Sequence, residues 1–96
     1  MLLKAGVDIS RLNREIRRAL PGIARVYDSY GYELTITSTF DGNHGEGSLH
    51  YHHDAIDTVK TPEFLPNIHH DIKIGLGSDF DVVLESDHIH IEYDPD

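Results

Sequence analysis

A chain of 96 residues with 39% hydrophobic and 26% charged side chains makes one modest globular domain and leaves no room for a second core. Eight basic against seventeen acidic residues give a formal net charge of −9, which disfavours nucleic acid and anionic membrane as partners. The absence of cysteine excludes disulfides, thiolate metal sites and cysteine nucleophiles, and no apolar run approaches the roughly 20 residues of a bilayer span.

Met1 to Ser10 holds too few apolar residues to read as a signal peptide. Asp8 or Ser10 can cap a first helix, in which Ile9, Leu12, Ile16, Ala19 and Leu20 recur at helical spacing. Arg11, Arg14, Arg17 and Arg18 then form its solvated side. Pro21 suits the first turn of a second helix, with Ile23, Ala24, Val26, Tyr27 and Tyr30 on its apolar side and Gly31 at its end.

Tyr32 to Thr39 alternates and is rich in β-formers, which predicts a strand with Leu34 and Ile36 inward. Residues 40–47 carry three glycines, Asp41 and Asn43, a loop composition. Ala55 to Val59 reads as a short strand. Pro62 to Leu76 reads as a helix on the period of Phe64, Leu65, Ile68, Ile72 and Leu76, provided Pro66 lies in the first turn. Phe80 to Leu84 is an apolar strand. Ser86 and Asp87 make a tight turn, and His88 to Tyr93 is a strand returning antiparallel. Helices followed by a small, mostly antiparallel sheet with one crossing helix is an α+β order.

Six of the eight histidines fall in two short stretches: His44, His50, His52 and His53, then His88 and His90. Side chains two apart on a strand share a face, so His88, His90 and Glu92 point one way while Ile89 and Ile91 point into the core. Paired imidazoles on a strand face either begin a metal site or sit as solvated polar groups. Asp57 shares its strand face with Ala55, whose small side chain leaves space beside the carboxylate. His50 ends a glycine-rich loop that can fold back over the sheet. One histidine from the loop, one aspartate and one histidine from neighbouring strands would make three ligands with a fourth position left for water, the pattern of a catalytic zinc site. His69 and His70, on a helix without a paired motif, read as structural or exposed.

The pattern Ser48-Leu49-His50-Tyr51-His52-His53-Asp54-Ala55-Ile56-Asp57, followed by Asp87-His88-Ile89-His90, resembles the zinc peptidases of the Hedgehog/DD-peptidase fold. These include D-Ala-D-Ala carboxypeptidases and phage L-alanyl-D-glutamate endopeptidases. The stretches Ile36-Thr37-Ser38, Ser48 to Tyr51 and Phe80 to Pro95 look like small phage-type members, and the resemblance spans roughly residues 33–95. It implies one Zn²⁺ per chain held by His50, Asp57 and His90, with Asp87 as general base and His88 stabilising the oxyanion. Strict alternation would put Asp87 on the wrong face, so its carboxylate must swing round from the turn. Glu92, on the regular face, competes for that role; with Asp87 preferred on the resemblance, Glu92 is the outer support of a ligand histidine.

The chain departs from that pattern where the family has glycine and this sequence has His53. It also has Phe40-Asp41 where members often carry a substrate-gripping arginine. Ser48, Tyr51, His44 and Asp41 are the expected substrate contacts, while His44, His52 and His53 read first as solvated, with cleft lining or substitution as ligands the alternatives. The implied function is hydrolysis of an amide bond in peptidoglycan stem peptides, at the cell wall of a bacterium or in a phage, by a monomer. The alternative is a non-catalytic metal-binding module of the same fold, such as a virion component. Manganese and iron suit the same donors, with zinc favoured.

Overall fold

A computed structural model describes residues 1–39 and 54–95. Its elements run β1 (Leu2–Leu3), α1 (Arg14–Ser29), β2 (Thr35–Ser38), β3 (Ala55–Val59), α2 (Leu65–Leu76), β4 (Phe80–Leu84) and β5 (His88–Tyr93). The α+β reading stands, as a five-stranded mixed sheet with two helices.

The expected pair of N-terminal helices is one helix. Ile16, Ala19, Leu20, Ile23 and Tyr27 continue a single buried stripe through Pro21. Proline removes the amide that would bond the carbonyl of Arg17. Both residues are exposed, so that carbonyl is open to solvent rather than buried unpaired, and the helix continues. Asp8 and Ser10 do not cap it. Asp8 accepts the backbone N–H of Ser10 at 2.8 Å in a local turn, and the helix begins at Arg14. Asn13, at the cap position, turns its Nδ2 to Asp54 Oδ1 at 2.8 Å, tying the helix start to the entry of β3.

Pro66 lies in the first turn of α2, where its missing donor costs nothing. Phe64 precedes it with φ of 64°, an unfavourable conformation for a bulky residue, and its ring packs 5.6 Å from that of Tyr30. Gly77 closes the helix at φ 83°, which glycine adopts without strain.

The strand order is β1-β2-β3-β5-β4. β1 joins β2 in parallel, and every other pairing is antiparallel. Because β3 and β4 each run antiparallel to β5, they run parallel to each other, and β3–α2–β4 is a split βαβ unit with β5 between its strands. Leu34, Ile36, Ile56, Val82, Ile89 and Ile91 face the two helices and share one core with Leu12, Ile16, Leu20, Ile23, Tyr27, Leu65, Ile68 and Ile72. Tyr27 buries its ring completely. Its hydroxyl donates to the Val59 carbonyl at 3.1 Å and is joined to the Thr58 hydroxyl at 2.7 Å. The alternate strand positions face away from the helices, and there the chemistry-bearing side chains collect. No helix among the described residues is long and apolar enough to cross a membrane.

Candidate metal centre

The β3–β5 register sets Asp57 directly opposite His90, Val59 opposite His88 and Ala55 opposite Glu92. Ser38 of β2 flanks Asp57, and Val83 of β4 flanks His90. The outer face therefore carries a cross-strand row of Ser38, Asp57, His90 and Val83, bordered by His88 on one side and Glu92 on the other. As expected from alternation, Ile89 and Ile91 are fully buried beneath.

His90 is gripped from both sides. Its Nδ1 lies 2.9 Å from Asp57 Oδ1, and its Nε2 lies 2.7 Å from Glu92 Oε1. The bond to Asp57, reinforced by Glu92, raises the imidazole above its ordinary pKa against the opposing effect of burial. A neutral ring that gives its one proton to Glu92 through Nε2 directs its Nδ1 lone pair at Asp57. That orientation is the one a metal ligand with a supporting carboxylate requires.

His88 turns the opposite end of its ring toward the same oxygen. Its Nε2 is 3.7 Å from Asp57 Oδ1, and its Nδ1 is 2.6 Å from Asp87 Oδ1. The Asp87 carboxyl sits below its ordinary pKa, chiefly because of that bond to His88. Asp87 lies in the bend before β5 and its side chain is 78% exposed. Its bond to His88 brings it to the outer face without reaching the Asp57–His90 pair. The result is an alternating series: Asp87, His88, Asp57, His90, Glu92.

The donors suit a borderline divalent cation. Tetrahedral zinc with bonds of about 2.0–2.2 Å separates its ligand atoms by roughly 3.4 Å. Asp57 and His90 need open by only about half an ångström from their 2.9 Å contact to admit an ion. Asp57 and His90, two of the three residues expected to be ligands, thus stand side by side. The third, His50, lies outside the described residues, as do Ser48, Tyr51, His44, Asp41, His52 and His53.

Some arrangements had no signal in local periodicity. Asp81, Glu92 and Asp94 bring carboxylate oxygens within 4.8 Å of one another, the single such grouping of three metal-capable side chains among the described residues. The β4–β5 register that faces Asp81 with Glu92 creates it. Val83, 43% exposed beside His90, is an apolar element of the site face that only the strand pairing reveals. His69 is structural, as its sequence context implied: its Nε2 reaches the Val82 carbonyl at 2.8 Å and ties α2 to the edge strand. Comparison with protein-family models, curated proteins and solved structures finds no match to this chain.

Proposed function

We propose that the chain is a zinc-dependent peptidase of the Hedgehog/DD-peptidase kind, hydrolysing an amide bond in peptidoglycan stem peptides. One observation carries this reading: a carboxylate and an imidazole meet at 2.9 Å across the centre of the sheet, and Glu92 holds the imidazole's other nitrogen. Asp57 and His90, with His50, would hold the ion. When bound, zinc supplies a water of lowered pKa and a Lewis acid for the scissile carbonyl. Asp87 accepts the proton of the attacking water and returns it to the leaving amine as the C–N bond breaks. His88, bonded to Asp87 through Nδ1, turns its Nε2 to the site, where an N–H would donate to the developing oxyanion. Losing one such donor typically costs roughly 3–4 kcal/mol of transition-state stabilisation.

A second reading, a metal-binding module without turnover, draws on the exposure of Asp87 and its bond to His88 rather than to the Asp57–His90 pair. One experiment separates the two. Zinc-loaded protein is incubated with purified peptidoglycan fragments, and the products are identified by mass, with Asp87→Ala and His90→Ala in parallel. Cleavage that both substitutions abolish supports the peptidase. Zinc binding lost in His90→Ala, without cleavage by the unaltered chain, supports the module. Zinc binding equal in all three proteins overturns both readings.

A further inference from the structure

On the far side of the sheet from Asp57 and His90, α1 and α2 leave between them a groove of about 290 Å³. Ile23 and Ile72, both almost fully buried, form its floor, and Leu76 closes one side. Gly22 and Gly75 stand on opposite walls, one from each helix.

Neither glycine is required by its backbone or by crowding. Both lie within helices and neither has a positive φ. A Cβ at Gly75 would meet nothing within 4 Å, and one at Gly22 would meet only Arg25 Nη2, at 3.8 Å. Glycine is the poorest helix former after proline, so any residue but proline at Gly75 would favour the helix. With no side chain at either position, both walls of the groove are bare. The same 3.8 Å distance places the Arg25 guanidinium at the lip, and Arg25 is the single charged residue among those lining the groove.

An apolar trough with one cation at its rim matches a ligand with an alkyl chain and one anionic head. At roughly 30 Å³ per water-sized group, the trough has room for on the order of eight to ten heavy atoms. We propose that the α1–α2 groove binds a short-chain carboxylate, the alkyl chain lying over Ile23 and Ile72 and the carboxylate bonded to Arg25. The planar guanidinium favours this head group because it meets a carboxylate with two parallel N–H bonds. The site is independent of the metal centre, from which the sheet separates it.

The test is a methyl chemical-shift titration of the whole chain with octanoate, octanol and octylammonium, each below its aggregation threshold. Octanoate should give saturable shifts at Ile23, Ile72 and Leu76, while octylammonium gives none at the same concentrations. Gly75→Leu, which fills the trough and strengthens the helix, should abolish the shifts. Arg25→Gln should weaken octanoate by at least about tenfold, the typical size of a charged hydrogen bond, and leave octanol unchanged. Octylammonium binding as well as octanoate, or octanoate binding undiminished in Gly75→Leu, would overturn the proposal. So would the absence of any saturable shift in the unaltered chain.

Discussion

The two faces of the sheet are built from the same strands in alternation, broken where the β2–β3 register shifts between Ile36 and Ser38, yet they obey different rules. Toward the helices, Ile36, Ile56, Ile89 and Ile91 are fully buried and contribute by area and fit. Away from the helices, Asp57, His88, His90 and Glu92 are only partly covered and contribute through proton positions and charge. A strand such as β5 thus serves stability and chemistry at adjacent residues. Changes one position apart should differ in kind as well as in size.

The sharpest way to break this division is Ile91→Ala. It removes a fully buried side chain from the central strand and should cost about 3–5 kcal/mol of unfolding free energy in urea titrations. A loss below about 1 kcal/mol would mean that the inner face is not the main source of stability. One residue earlier, His90→Ala should leave the unfolding free energy of metal-free protein within about 1 kcal/mol and lower zinc affinity by more than about a hundredfold by calorimetry. Equal zinc affinity would remove His90 from the ligand set. Glu92→Gln keeps the shape but weakens the acceptor of the Nε2 proton, and should lower zinc affinity by about tenfold.

The smallest effect concerns pH and sharpens the comparison most. In metal-free protein the folded-state pKa of His90 lies above its ordinary value of 6.5. Its stabilising contribution is therefore complete below pH 6.5 and is lost as pH rises through the raised folded value. The urea midpoint should fall across neutral pH in the unaltered chain and stay nearer constant in His90→Asn. With zinc the ligand must be the neutral ring, so metal-dependent stabilisation should grow with pH over the same range. A metal-free midpoint with the same slope in both proteins would show that the Asp57–His90–Glu92 contacts do not couple to folding.

How far these features were legible in the chain follows from the range of the forces involved. β3, β4 and β5 could be bounded to the residue because apolar alternation and β-branched side chains mark them locally. α1 was divided at Pro21 because proline is a strong local signal for a helix start. The buried stripe from Ile16 to Tyr27 is a tertiary effect that overrides it. β1 was not foreseen. Two residues have no period, and they are held by backbone bonds from Leu2 to the Leu34 carbonyl and from Lys4 to the Ile36 carbonyl. In the candidate centre, the shared face of His88, His90 and Glu92 follows from alternation alone. That Asp57 should stand opposite His90 depends on the register between strands some thirty residues apart, which no single-strand pattern encodes. The support of a ligand histidine by Glu92 follows from the shared face and is met by its bond to His90 Nε2, whereas the bond of Asp87 to His88 depends on the turn geometry and has no signal in the pattern.

The place of β5 has a consequence for how the molecule comes together. It is the last strand in chain order, yet it lies between β3 and β4. Until it arrives those two strands stand two spacings apart, about 10 Å, and each offers an unsatisfied inner edge. A chain halted before His88 would lack the strand between β3 and β4, a gap that another copy's β5 would fit as well as its own. Insertion of a chain's own β5 and of another copy's would compete for the same two edges, so dilution during refolding would favour the intramolecular pairing.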